Sequence, residues 1–342
     1  MRIRAQRARS AAAVVAVALT LTGLGAAPAV AAPAATSQDF GPTVITGVPH
    51  APDLQAKPPE KPTQKVVPLA TISTQLDAGA TAYVYSELRA WNADQANLID
   101  NEIRCSGAGA SNVVMGENVL PATNPNPALR DITIVNRFLV TASTTGALNC
   151  TLYLRTASTS PSVAQETVAG TLRFASTAVG GDVNGTAMQR SLPAGNLPVT
   201  TSTVAPIVNA TMPAGYRNLA VIADVEYHRG PEPTPDSKIH YSTARFTLTV
   251  TTSGGPNCAS APVAQTEETV VRGVNHAAIP LYTKVPVNPG CTQLSAKVTT
   301  THLGGNPGTV GGAAPGLTDQ TGVNGSTPNH TSAMTHLFVV PS

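Results

Sequence analysis

The chain is short of charge, of aromatic rings and of catalytic signatures. Asp, Glu, Lys and Arg make up 12% of its 342 residues, about half the usual share. The net charge of +2 comes without basic clusters, which argues against a nucleic-acid partner. Lysine is absent from Val66 to Pro193, and so is histidine. Any Ser–His or Cys–His chemistry must therefore draw on the rest of the chain. Aromatic residues reach only 4%, with Trp91 the single tryptophan, so flat stacking platforms for sugars are scarce. Tyr83, Tyr85 and Trp91 read as sheet-face packing. No GxSxG, HExxH or GxxxxGKS/T pattern occurs, which removes the signatures of nucleophile elbows, zincins and P-loops.

What is present begins with an export signal. Arg2, Arg4, Arg7 and Arg9 precede an apolar run from Ala11 to Leu24, and Ala29-Val30-Ala31 supplies small residues for cleavage. The run is too short for a bilayer-spanning helix, which needs about 20 apolar residues, and Gly23, Gly25 and Pro28 interrupt its end. Cleavage near Ala31 is expected. The mature chain is then secreted to the extracellular space without a membrane span. No lipidation cysteine near the cleavage site and no LPxTG-like sorting motif accompany it.

Thr, Val, Ser and Asn dominate the rest, and strand patterns recur. Phe246, Leu248 and Val250 alternate with Arg245, Thr247, Thr249 and Thr251, the period of a half-buried strand. Cys150, Leu152 and Leu154 share one face in the same way. Leu88, Trp91, Leu98, Ile99 and Ile103 fall near helical spacing. Their counterpart further on contains Pro231, Pro233 and Pro235, so strand–loop–strand is the better reading of both. The fold class is all-β: two tandem antiparallel β-sandwich domains after a signal peptide and a Pro-rich tether. The expected boundaries are 1–31 for the signal peptide, 32–65 for a Pro-rich disordered linker (Lys57-Pro58-Pro59-Glu60-Lys61-Pro62 at its centre), 66–193 for the first sandwich, 194–203 for a short linker and 204–342 for the second.

The two sandwiches read as an internal repeat. Cys150 is followed 33 residues later by Val183-Asn184-Gly185, and Cys291 is followed 32 residues later by Val323-Asn324-Gly325. Upstream, Cys105 precedes Glu117 as Cys258 precedes Glu268. A competing register aligns Arg137-Phe138 through Cys150 with Arg245-Phe246 through Cys258, and leaves the later spacing unexplained. In the preferred register the strand after Cys291 has its apolar residues on the opposite parity, which a bulge would reconcile. Four cysteines in an exported chain form disulfides, and the repeat favours Cys105–Cys150 and Cys258–Cys291. Each is worth about 4 kcal/mol on a chain-entropy estimate.

Six of the seven histidines lie in the second domain. The segment Tyr227-His228-Arg229 to Ile239-His240-Tyr241 is nearly a mirror image about its prolines. As a hairpin it would set His228 opposite His240. Tyr227, His228, His240 and Tyr241 are therefore the candidate binding residues. His228 and His240 are weak metal ligands for want of a third fixed donor, for which Glu226 or Asp236 would have to serve; no metal or other cofactor is assigned. His336 has Arg190 as its repeat counterpart and reads as a polar strand face, and His330 is discounted with it. Glu117 and Glu268 read as ladder-satisfying carboxylates, and Asp182-Val183-Asn184 as a turn rather than a calcium loop. No catalytic residue is assigned. The expected function is a secreted non-enzymatic binding or structural protein whose partner is an extracellular protein or a cell-envelope glycan. Its contacts would lie on the 226–241 hairpin and the Gly-rich 304–316 loop. The alternative is a secreted hydrolase with its site in the histidine-bearing second domain.

Overall fold

The structure is a computed structural model that describes residues 35–50, 64–179, 188–193, 195–212, 218–230, 239–256, 258, 263–271, 274, 276–286, 288, 290–317 and 330–341. The expected signal peptide, residues 51–63, both Val-Asn-Gly segments and 231–238 lie outside the described residues. In the first half, β1 (Ser37–Val48), β2 (Lys65–Leu76), β3 (Thr81–Trp91), β4 (Asn97–Gly107), β5 (Ser111–Val119), β6 (Asp131–Thr141), β7 (Gly146–Ser158) and β8 (Ala164–Val179) form two sheets. Their orders are β1-β8-β3-β6 and β2-β7-β4-β5, with neighbours antiparallel. This is the eight-stranded jelly-roll form of a sandwich.

The second half contributes β9 (Gln189–Ser191), β10 (Asn196–Val199), β11 (Ser202–Thr211), β12 (Asn218–Arg229), β13 (Tyr241–Ser253), β14 (Ala264–Val271), β15 (His276–Pro286), β16 (Gln293–Gly305), β17 (Gly308–Gly311), β18 (Ala314–Leu317), β19 (His330–Ser332) and β20 (His336–Pro341). One sheet runs β11-β16-β13-β14, the same order as β2-β7-β4-β5 counted from the first strand of each. The facing sheet is centred on β12. β15 lies along one edge of β12, and β20 and β17 lie in succession along the other, with β9 and β10 beyond them. β3 stands between β6 and β8 in the same way.

Alternation explains these strands. Along β13 every second residue is buried, Phe246, Leu248 and Val250 among them, and on β7 Leu148, Cys150, Leu152 and Leu154 point inward. The 88–103 segment is strand, loop and strand, as β3 and β4. Both disulfides join the expected partners, Cys105–Cys150 and Cys258–Cys291. Cys105 and Cys150 sit opposite each other on β4 and β7. Cys291 precedes β16, so Leu294, Ala296 and Val298 are buried without any bulge after the cysteine.

Several sequence expectations need correction. Residues 37–48 are not linker but β1, an edge strand on β8. Pro42 is tolerated there because an edge strand needs no second row of donors and the ladder bulges between Phe40 and Thr43. Gly41 in that bulge has φ +77, and a Cβ would stand 2.4 Å from Val168 O. Residues 194–203 are likewise not a plain linker, since they contain β10 and the start of β11. Gln189–Ser191, placed by sequence in the first domain, pairs with β20 of the second. The 304–316 stretch is the end of β16 followed by β17 and the start of β18, not a loop. Residues on either side of 231–238 do not form a hairpin, because β12 and β13 belong to different sheets.

The halves meet along a seam that is apolar at one end and polar elsewhere. Leu139 of β6 packs on Ala220, Ile222, Phe338 and Val340, and Tyr83 meets Phe338 edge-on at 5.4 Å. Beside them Arg137 of β6 inserts against Asp224 of β12. Arg137 Nη2 and Nε donate to Asp224 Oδ1 at 2.5 and 3.0 Å, and the Arg137 N–H donates to Oδ2 at 2.7 Å. His336 Nε2 reaches Arg137 O, its Nδ1 faces Met334 O at 2.9 Å, and its side chain is wholly buried. The comparison of His336 with Arg190 therefore fails: Arg190 stands opposite Leu337 on the neighbouring strand β9 and is exposed. Glu102 of β4, paired with Arg104 and the buried Arg155, accepts from Ser332 Oγ at 2.7 Å across the same seam.

Removing one member of the Arg137–Asp224 pair should be costly. Asp224→Ala is expected to lower the unfolding free energy by about 3–5 kcal/mol, since Arg137 would stay buried without its carboxylate. The double variant Arg137→Met/Asp224→Leu should cost less than the sum of its single changes, as read by urea unfolding. Glu166 on β8 supplies a pH prediction. Burial drives its carboxyl from an ordinary 4.5 up to about 7, against the hydrogen bonds of Thr156 and Asn97. Between those values the folded state holds a proton that the unfolded state releases, so stability falls as pH rises through the window. Glu166→Gln should flatten the profile of Tm against pH there, removing a loss on the order of 3 kcal/mol.

Candidate metal centre

β12 and β15 pair along their whole length, and the ladder ends with His228 opposite His276. The two imidazoles meet with ring centroids 4.3 Å apart. Glu226 lies two residues before His228 and so shares its face of the strand. Its Oε1 stands 2.9 Å from His276 Nδ1 and 3.5 Å from His228 Nε2. The first half closes the site through β5: the Gly116 N–H donates to Glu226 Oε2 at 2.7 Å, and the His276 N–H donates to Asn118 Oδ1 at 3.2 Å. Glu226 is buried, while the His228 and His276 side chains keep 15% and 18% of their surface, with His228 Nε2 itself covered.

Electrostatics set the three donors apart. Burial pushes the Glu226 carboxyl up, but the hydrogen bonds and charges of His228 and His276 outweigh it and hold it below its usual range. Burial, reinforced by the neighbouring His276, lowers His228 and favours the neutral imidazole, the form that binds metal. At His276 burial acts in the same direction, but the hydrogen bond and charge of Glu226 and the charge of Asp100 win and raise it. Two further carboxyls flank the group. Burial lifts Asp100 to about 7 against the charges of His276 and Arg155. Burial, then repulsion from Glu268 and Glu226, lifts Glu117 to about 8. A backbone hydrogen bond at Ala278 opposes that rise at Glu117, and Glu268 Oε1 accepts from the Thr269 N–H at 2.9 Å.

Two glycines leave the space. A Cβ on Gly116 would stand 2.6 Å from Asp100 Oδ1 and 3.1 Å from Glu226 Oε1. A Cβ on Gly311 of β17 would stand 2.9 Å from both His228 Nε2 and Met334 Sδ, and 3.0 Å from Glu226 Cγ. His228 Nε2 is buried and faces Glu226 Oε1 across 3.5 Å, a long contact at the limit of hydrogen bonding, and a cation would satisfy this nitrogen better. The donor atoms of Glu226, His228 and His276 lie within 4.8 Å of one another. Tetrahedral bonds near 2.0–2.2 Å hold donors about 3.4 Å apart, so the widest separation has to close by up to about 1.4 Å, within reach of side-chain rotation. The residues fit such an ion.

Of the four binding residues expected from sequence, only His228 belongs here. Tyr227 is fully buried, with its Oη 2.7 Å from Ser242 Oγ and its ring edge-on to Phe246, so it is core. Tyr241 is half-exposed at the start of β13, against Gly305. His240 precedes β13 in the other sheet and does not face His228. The true partner, His276, carried only a weak signal: it opens a strand in which Ala277, Ile279 and Leu281 alternate as buried residues. Glu226, one of the two options for a third donor, lies beside both histidines. The remaining aromatics behave as sheet-face packing, Arg89 covering Trp91 at 4.8 Å and Arg173 covering Tyr85 at 4.6 Å.

No family model matches the chain, and no curated protein matches it in sequence. Among solved structures it is similar to the N-glycanase F (PNGase F) recombinant peptide, at 10% identity over 90% of this chain and 96% of that one, with a TM-score of 0.35. It is also similar to the N-terminal CBM22-1–CBM22-2 tandem domain of Xyn10C from Paenibacillus barcinonensis, at 12% identity over 90% and 93% of the two chains, with a TM-score of 0.25. Likenesses at this level bear on neither ligand nor reaction. Among the described residues no helix is long and apolar enough to cross a membrane.

Gly311→Ala tests the cavity without touching a donor. The added methyl meets movable side-chain atoms, so the fold should persist. The ring signals of His228 and His276 should shift in NMR spectra, and affinity for any ion held there should drop by about tenfold or more.

Proposed function

We propose that this is a secreted metal-binding protein in which Glu226, His228 and His276 hold one transition-metal ion beside the seam between two copies of a duplicated sandwich. The observation that carries the reading is the convergence of three donors from β12 and β15 in one small space, with His228 Nε2 held only by a long contact to Glu226. Two imidazoles and one carboxylate are a donor set of first-row divalent metals, and three protein ligands leave room for another. The matching strand orders and the paired cysteines support duplication. The basic and apolar N-terminus and the disulfides support export. The ion would cross-link β12 to β15 and stiffen the surface that β5 covers. Such a protein stores, carries or presents metal outside the cell with no reaction of its own.

A second reading, metal-assisted hydrolysis, is favoured by Asp100. Its carboxyl, lifted by burial, stands across Gly116 from Glu226, where it could hold or release a proton beside a metal-bound water. Asp100→Asn would abolish such an activity while leaving metal content unchanged.

The test is direct. Purified mature protein, freed of metal by chelation and titrated with Co(II) or Zn(II), should take up one equivalent, with tetrahedral d–d absorption for Co(II). His228→Ala removes a donor whose Nε2 makes only a long contact to Glu226, and should weaken uptake by about tenfold or more while leaving the fold intact. A wild-type protein that takes up neither of these ions nor copper sinks the proposal.

A further inference from the structure

Met334 places a soft donor beside this group. Its Sδ and His228 Nε2 both lie 2.9 Å from the position a Cβ on Gly311 would occupy, so sulfur and nitrogen are no farther apart than twice that distance. Glu226 Cγ lies 3.0 Å from the same point. The absence of a side chain at Gly311 therefore puts a thioether, an imidazole and the Glu226 side chain around one small space.

The backbone on either side of Met334 is held firmly. Ala333 bridges to β5 of the first half, its N–H donating to Asn112 O at 2.9 Å and its O accepting from Val114 N at 2.8 Å. Thr335 Oγ1 accepts from the Glu226 N–H at 3.0 Å, the Thr335 N–H donates to Gly311 O at 3.3 Å, and Met334 O faces His336 Nδ1. The residues flanking Met334 are thus tied to β5, β12 and β17. With its backbone fixed, the unbranched side chain can swing sulfur toward the histidines through low-cost rotamer changes.

Resting on the metal site proposed above, we propose that Met334 is its fourth donor and that the site is built for copper, holding Cu(I) through His228, His276 and the Met334 thioether. A thioether is a soft, uncharged ligand that adds little for Zn(II) or Co(II) but selects Cu(I). The Glu226 carboxylate complements it, since a hard anionic oxygen serves Cu(II) and divalent ions better than Cu(I). One pocket thus offers a soft donor on the Met334 side and a hard donor on the β12 side, with the two imidazoles common to both.

The experiment is an anaerobic competition of apoprotein against bicinchoninate for Cu(I), run beside a Zn(II) titration, on wild type and Met334→Leu. Met334→Leu, a swap that nearly conserves volume, is expected to weaken Cu(I) binding by about tenfold or more and to leave Zn(II) affinity within about threefold. X-ray absorption of the Cu(I)-loaded wild type should show one sulfur scatterer that the variant lacks, a readout that a packing role for Met334 would not move. If Zn(II) binds but Cu(I) affinity and the absorption spectrum are the same in both proteins, Met334 is not a ligand and the copper assignment is overturned, while the metal site stands. If the wild type takes up no metal ion, the site itself is refuted and this inference with it.

Discussion

Arg137 and Asp224 share a junction with almost no water, and most of the molecule's functional geometry follows from how that pair is satisfied. The guanidinium of β6 can be buried only because a carboxylate of β12, together with Ala223 O and Leu281 O, receives its N–H groups. That requirement fixes the seam in register, since sliding one sheet past the other by a residue would strand a charge in an apolar layer. Two residues along β12 from Asp224 comes Glu226, then His228, so the pair that locks the halves also sets where the face carrying those two residues meets β5. Gly116 and Asn118 are brought to Glu226 and His276 by the same alignment.

A seam of this kind also tunes chemistry. Asp100, Glu117 and Glu226 are all withdrawn from water, and burial pushes each toward its neutral form. Only Glu226 has two imidazoles close enough to reverse the effect. One ionised carboxylate among neutral acids, beside two histidines of which one is held neutral, is a local arrangement that burial and spacing produce together. Neither would suffice alone.

Much of the scaffold was legible along the chain. Alternation at 245–251 marks β13 because solvent lies on one side of that sheet and core on the other. Three prolines around 231–235 excluded a helix there, and the cysteine spacing pointed to the pairs that form. Edge strands were harder. Pro42 and the low-complexity stretch at 194–203 look like tether, yet β1, β10 and the start of β11 are strands, because an edge asks for pairing on one side only. The palindrome around 231–238 misled for a related reason. Mirror symmetry of sequence reads as a hairpin, whereas β12 and β13 cross from one sheet to the other.

By itself the sequence determined what depends on near neighbours: the strand class, the faces that turn inward and the cysteine partnership. Tertiary structure alone decided which distant polar residues share a space. His228 meets His276 and not His240, Glu226 meets Gly116, and Met334 arrives beside both through an absent side chain at Gly311. Those meetings are set by strand order and by the packing of one half on the other, long-range relations of which a local pattern carries no trace.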